Sequence, residues 1–161
     1  TLRGEVRDIT GLTRQLNRDL ERAVATHDLP HGAATLEALV LRRGRAFRSA
    51  APAPSTLVGS KGECFSNALR VCLKDRRLSY CFGFALSEDL PELSIVHAWA
   101  VTRDGVVVDP TWEFDVAAGY FGVTMPLAEV VSCVGELGCR QLIRLLLARE
   151  PGSRPAVNRR V

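Results

Sequence analysis

The chain has 161 residues, of which 47% are hydrophobic and 24% charged, and its formal net charge is +3. This length suits a single domain with its own core. The basic residues are mostly arginines that are dispersed and not interleaved with aromatic residues, so we expect no nucleic-acid binding. No apolar run reaches the roughly 18 residues of a membrane span, and the first residues lack the features of a signal peptide. We therefore expect a cytoplasmic protein without membrane segments.

The first part of the chain predicts helices. Apolar residues recur at three- and four-residue steps from Ile9 to Val24, which is typical of an amphipathic helix. A second helix is predicted from Ala33 to Leu41, and the proline-rich stretch 50–55 is predicted to be a connector. The basic cluster at residues 42–48 could contact an acidic partner, but we favour solvated charge in a loop or at a helix end.

The cysteines and histidines do not predict a metal site. His27 and His31 have the spacing of ligands on one helix, but Pro30 interrupts such a helix. The cysteines form an odd-numbered set without C-x2-C spacing, which argues against a zinc site and against a complete disulfide framework. Most of them lie among apolar residues, where cysteine usually packs as a small core side chain; these are Cys72, Cys81 and Cys133. We predict no metal and no cofactor.

The middle of the chain predicts a helix followed by a small antiparallel sheet. The apolar pattern after Gly62-Glu63 predicts a helix that begins at about Cys64 and ends near Asp75. Three segments rich in branched and aromatic residues then predict strands, namely Ser79 to Leu86, Ser94 to Thr102 and Val106 to Asp109. Two more helices are predicted further on, from Pro126 to Val134 and from Arg140 to Arg149.

Three polar residues in this region predict a catalytic triad. Cys64 lies at a helix start, where free amide groups and the helix dipole favour a negative charge. Cys139 also precedes a predicted helix and is the rival nucleophile. Of these two cysteines, only Cys64 is followed by His97 and Asp109, which interrupt or end apolar strands and therefore need polar partners. If they pair, Asp109 fixes the imidazole tautomer, and the other ring nitrogen can accept a proton from Cys64.

The pairing of His97 with Asp109 depends on the hairpin loop between their strands. A two-residue turn at Asp104-Gly105 would place the two side chains on opposite faces. A three-residue loop, with Gly105 in the left-handed region, would place Asp109 opposite Trp99, on the same face as His97. The triad therefore requires the longer loop or a one-residue bulge. The alternative is a hydrogen-bonded core histidine, an aspartate that caps a turn and an apolar thiol.

The order of these motifs resembles the transglutaminase-like superfamily, within the papain-like cysteine enzymes. The resemblance rests on Gly62-Glu63-Cys64-Phe65, on His97-Ala98-Trp99 and on Asp109-Pro110-Thr111, and it covers about a third of the chain. It implies that Cys64 is the nucleophile, His97 the general base and acid, and Asp109 the orienting carboxylate. Phe65 stands where animal transglutaminases carry Trp, and 56–61 lacks the Gln of papain-like peptidases. An oxyanion donor is therefore assigned only at the Cys64 backbone amide.

The sequence thus predicts an α+β domain over residues 1–150, followed by a mobile tail at 151–161. Within the domain we expect a helical portion at 1–55, a catalytic core at 56–115 and C-terminal helices at 116–150. We expect the enzyme to hydrolyse an amide bond of a protein or peptide through a thioester, as a peptidase, amidase or glutamine deamidase. Transfer to an amine and a non-catalytic binding module are the alternatives. Trp99 and Trp112 are predicted to wall the site.

Overall fold

The computed structural model describes residues 9–26, 35–52, 58–112, 118–134 and 139–148. The described helices are α1 (Ile9–Thr26), α2 (Leu36–Arg43), α3 (Cys64–Lys74), α4 (Leu127–Val134) and α5 (Cys139–Ala148). The described strands are β1 (Arg45–Pro52), β2 (Ser79–Ser87), β3 (Ile95–Val101), β4 (Val106–Asp109) and β5 (Ala118–Met125). The α+β class predicted from the sequence is confirmed. In this part of the chain no helix has both the length and the apolar character needed to cross a bilayer.

The five strands form one curled sheet that closes on itself in the order β1-β4-β3-β2-β5. Neighbouring strands are antiparallel except β1 and β4, which run parallel. One face of the sheet lies against the helices, and the other face encloses a smaller core. Along β2, Tyr80, Phe82 and Phe84 face the helices, whereas Cys81 and Ala85 face the enclosed core. This two-residue alternation explains why β2 carries no charged side chain from Tyr80 to Leu86, since both of its faces are buried there.

Most of the helices and strands predicted from local patterns are confirmed, with ends shifted by a few residues. The helix α2 begins at Leu36 because Thr35 caps it, and the Thr35 side chain accepts a hydrogen bond from the backbone N–H of Ala38 at 3.0 Å. Arg42 and Arg43 are exposed in its last turn, where positive charge is favourable, as expected for helix-end charge.

Two strands were not predicted, and both are corrections. Residues 50–52, predicted as part of a connector, belong to β1, which pairs with β4 and β5. Residues 118–125, predicted within a helical portion, form β5 at the centre of the β2–β5–β1 pairing. The strand β1 contains several Arg and Ala residues and few branched ones, so its pairing with distant strands determines its conformation. The His27–His31 pair and the tail at 151–161 lie outside the described residues.

The hairpin loop has three residues, 103–105, because the pairing continues to Thr102, whose backbone N–H donates to the Val106 carbonyl at 2.9 Å. Gly105 occupies the left-handed region with φ of 82°. The strand pairing places Ala100 opposite Val108 and Val101 opposite Val107, so that Asp109 follows opposite Trp99. The backbone N–H of Gly105 donates to the carbonyl of Thr102 at 3.0 Å and closes the turn. This register is the longer-loop alternative that brings Asp109 to the face of His97.

Substitutions at Gly105 test whether its positive φ maintains this loop. A Cβ there would meet no atom within 4 Å, so the cost of a side chain is conformational and not steric. We expect Gly105→Val to lower the free energy of unfolding by about 1–2 kcal/mol, because a branched residue resists this region. Gly105→Asn should cost clearly less, since Asn tolerates positive φ. Urea unfolding of both variants measures the difference, and equal losses would contradict the proposed constraint.

Candidate active site

The centre of the site is a hydrogen bond between two buried ionisable side chains. His97 Nε2 lies 2.7 Å from Asp109 Oδ2, and the two side chains are only 2% and 7% exposed. His97 comes from the middle of the sheet on β3, whereas Asp109 is the last residue of β4. Because an ionised carboxylate only accepts, Nε2 carries the proton and the other ring nitrogen, Nδ1, remains for a second partner.

The second partner of the His97 ring is Cys64, which is the first residue of α3. An interaction with the Cys64 side chain favours the protonated form of the His97 ring. Cys64 is 8% exposed, and the first turn of α3 contains no acidic residue. Amide groups in the first turn of a helix have no acceptor within that helix, and together with the dipole they favour an anion. The three residues predicted as a triad are therefore brought together in the predicted order.

The pKa of His97 reflects a competition between burial and its partners. Burial favours the neutral ring, but the hydrogen bonds and charges of Asp109 and Cys64 outweigh it and raise the pKa of His97 from 6.5 to about 9. For Asp109, burial acts to raise the pKa, yet the bonds to His97 and to two backbone amides lower it overall. The arrangement thus favours a carboxylate beside an imidazolium at neutral pH.

Four hydrogen bonds hold the carboxylate of Asp109. Oδ1 accepts from the backbone N–H groups of Thr111 at 2.8 Å and Trp112 at 3.2 Å. Oδ2 accepts from His97 and also from the hydroxyl of Tyr120 at 2.9 Å. The turn cap that the sequence offered as an alternative to a catalytic role is therefore present together with the His97 contact. A single carboxylate fixes both the turn and the imidazole.

Asn67 joins the helix of Cys64 to the turn after Asp109. It lies one turn along α3 from Cys64, and its buried Nδ2 donates to the Ser60 carbonyl at 2.9 Å and to Thr111 Oγ1 at 3.1 Å. The backbone of Gly59 is held to the same turn, since its N–H donates to the Pro110 carbonyl at 2.8 Å. These bonds keep the start of α3 close to the end of β4.

The two tryptophans both lie near the His97 ring and differ in burial. The half-buried indole of Trp112 stacks on the His97 ring, with centroids 4.5 Å apart and planes 24° apart. Trp99 is completely buried, with its ring centroid 6.2 Å from that of His97, and it packs in the enclosed core. Trp112 can therefore contact a substrate directly, whereas Trp99 supports the site from within. Their assignment to substrate binding stays a prediction.

The other described cysteines occupy different surroundings. Cys72 and Cys81 are free thiols without exposed surface, and burial raises the pKa of each to about 12. Cys133 is also buried and free. These three pack as core residues, as the sequence predicted. Cys139 begins α5, but its side chain lies outside the described residues.

Sequence reasoning missed Asn67 and Tyr120. A buried Asn on the apolar face of a helix, three residues after the candidate nucleophile, is a signal that could have singled out Asn67. Tyr120 gave no comparable signal, because its strand was not predicted.

Among the described residues no group of His, Cys, Asp and Glu could hold a metal ion. Comparisons of this chain with protein-family models, curated proteins and solved structures find no match.

Replacing Asn67 tests the link between α3 and the Asp109 turn. We expect Asn67→Ala to lower the free energy of unfolding by about 1–3 kcal/mol, because it leaves the Ser60 carbonyl and the Thr111 hydroxyl without a buried donor. Ser66→Ala, an exposed neighbour on the same helix, is the matched control and should change little. Chemical denaturation measures both, and equal losses in the two variants would show that Asn67 does not hold these segments together.

Proposed function

We propose that this protein is a cysteine hydrolase that cleaves an amide bond of a protein or peptide through a thioester. The observation that carries the proposal is the convergence of a helix-start cysteine, a buried histidine and a buried carboxylate. His97 contacts Asp109 through Nε2, and the Cys64 side chain also favours the protonated form of the ring. The order of these residues, on a helix and then two adjacent strands, also supports the proposed kinship with the transglutaminase-like superfamily.

In the first half-reaction, the Cys64 thiolate attacks the carbonyl carbon of the substrate. The electron pair of the carbonyl moves to its oxygen, and the Cys64 backbone amide at the positive end of α3 stabilises that charge. The carbon–nitrogen bond then breaks as His97 gives its proton to the leaving nitrogen. An amine or ammonia departs, and a thioester remains on the enzyme.

In the second half-reaction, neutral His97 accepts a proton from water as the water attacks the thioester. The carbon–sulfur bond breaks, the carboxylic acid leaves, and the thiolate beside a protonated His97 is restored. Asp109 stays ionised throughout and keeps the imidazole in one tautomer and orientation. Its four hydrogen bonds support this role, because they limit rotation of the carboxylate.

The low aromatic content of the chain favours water as the acceptor. An enzyme that transfers an acyl group to an amine must exclude water from the thioester, usually with aromatic walls. Aromatic residues make up 6% of this chain, and of the two tryptophans near His97 only Trp112 is partly exposed. We also propose a cytoplasmic location, because that compartment is reducing and would suit the four free thiols of the described residues.

Selective alkylation tests the nucleophile without a known substrate. At about pH 6, iodoacetamide should label Cys64 well ahead of Cys72, Cys81 and Cys133, because the imidazolium of His97 stays charged below about pH 9 and stabilises a thiolate. His97→Ala should abolish this selectivity, and Asp109→Asn should reduce it. Peptide mass spectrometry identifies the labelled thiols. Slow, uniform labelling would favour a non-catalytic binding module.

Once a substrate is found, Cys64→Ala and His97→Ala should each abolish turnover, and both variants should unfold cooperatively. Asp109→Asn should lower kcat/KM about a hundredfold or more, since it disturbs the tautomer and orientation of His97 without removing the nucleophile. Steady-state kinetics and thermal unfolding measure these effects together. Unchanged turnover in Cys64→Ala would exclude the triad.

Competition between water and an amine tests the reaction outcome. A glutamine-containing peptide is incubated with the enzyme and a labelled primary amine, and ammonia release and amine incorporation are followed together. We expect hydrolysis to outpace incorporation, with Cys64→Ala as the inactive control. Faster incorporation would assign the chain to acyl transfer, and no reaction at glutamine would direct the search to peptide-bond cleavage.

A further inference from the structure

Tyr120 contacts the triad through Asp109. Its hydroxyl donates to Oδ2 at 2.9 Å, and this is the same oxygen that lies 2.7 Å from His97 Nε2. Tyr120 is 3% exposed, and its ring packs near Trp99 and Trp112, with centroids 5.1 and 6.1 Å away. The phenol is therefore a fixed donor within the sheet and cannot turn toward solvent.

Tyr120 is always the donor in its hydrogen bond to Asp109, because its phenol stays protonated. Burial, and then the charge and hydrogen bond of Asp109, raise the pKa of Tyr120 well above 10. The hydroxyl thus remains protonated at every pH at which His97 titrates. Because Oδ1 already accepts from two backbone amides, the Tyr120 and His97 donors share the charge of Oδ2.

We propose that Tyr120 is a positioning residue that moderates the basicity of His97 by sharing the Oδ2 charge of Asp109. This inference rests on the proposed function and extends it by one residue. With the Tyr120 hydroxyl in place, less negative charge faces the imidazolium than the carboxylate alone would provide. Without it, His97 would be the sole side-chain donor to Oδ2, and its proton would be held more tightly.

The ionisable groups that face His97 in the described structure are few. They are Cys64 from α3, Asp109 from β4 and, through Asp109, Tyr120 from β5. The strand β2 places Gly83 opposite His97, and this residue has no side chain to ionise. A change in the His97 titration on removing the Tyr120 hydroxyl would therefore be transmitted through Asp109.

The sharing matters for the proposed reaction because His97 must both hold and release a proton. An imidazolium that is too weak an acid protonates the leaving nitrogen slowly, since efficient general acids have a pKa near the working pH. Tyr120 acts against the upward shift that Asp109 and Cys64 impose on His97. It would thereby keep proton transfer to the leaving group fast at neutral pH.

The experiment is a nuclear magnetic resonance titration of the His97 ring in the wild type, in Tyr120→Phe and in Tyr80→Phe. Tyr80 is the other tyrosine of the chain, also buried, and its hydroxyl donates to the Phe65 carbonyl and not to Asp109. The His97 signal is assigned by its loss in His97→Ala. We expect the midpoint to rise by about 0.5–1 pH unit in Tyr120→Phe. In Tyr80→Phe it should stay at the wild-type value.

An unchanged or lowered midpoint in Tyr120→Phe would overturn the proposal. Should that variant fail to fold, 3-fluorotyrosine is incorporated in the Tyr80→Phe background, where Tyr120 is the only tyrosine. The fluorinated phenol is a stronger donor, so the midpoint should fall, and no change would again overturn the proposal. Cys64 labelling on the same samples separates the two claims: selective labelling with an unresponsive midpoint rejects the role of Tyr120, whereas unselective labelling in the wild type rejects the proposed function.

Discussion

The hydrogen bond between His97 and Asp109 joins two ionisable side chains that are almost excluded from water. Burial of such a pair costs several kcal/mol per ion, and this cost is offset only if the remaining polar atoms are also satisfied. Asp109 meets this condition with two backbone amides and the Tyr120 hydroxyl, and His97 does so with Cys64. The segments around the pair supply the hydrogen-bond partners that these two buried side chains need.

Each supporting feature brings one partner to this pair. The three-residue loop with Gly105 sets the register that turns Asp109 toward His97. The turn after β4 supplies two backbone donors and positions Trp112 on the imidazole. Asn67 ties that turn to α3, so that the start of the helix stays near the ring. A close approach is required here, because a Cβ at Gly59 would lie 1.8 Å from Asn67 Oδ1.

The sequence predicted those parts of the fold that local patterns determine. The helix α3 and the strands β2 to β4 follow from periodicity. The pairing of His97 with Asp109 was predicted from polar residues within apolar segments, and the structure contains it. The requirement that His97 and Asp109 share a face left two possibilities for the hairpin, a three-residue loop or a one-residue bulge. The structure has the three-residue loop. Its third residue is Gly105, which adopts a positive φ that glycine tolerates better than other residues.

The features that the sequence did not predict depend on contacts between distant segments. The strand β1 pairs in parallel with β4, and β5 pairs with β1 and β2, so neither is determined by its own residues. Tyr120 joins the site only because β5 lies beside β2 in the closed sheet. Asn67 was visible as a polar residue on an apolar helix face, but its partners, Ser60 and Thr111, become apparent only when the loops meet.

The central claim is that His97 is held protonated beside the carboxylate of Asp109 at neutral pH. It is tested most directly by a nuclear magnetic resonance titration of the His97 ring in the wild type and in Asp109→Asn. The account predicts that the pKa of His97 is about 9 in the wild type and clearly lower in Asp109→Asn, because that variant removes the negative charge that favours the protonated ring. An ordinary pKa of about 6.5 that is the same in both proteins would contradict it.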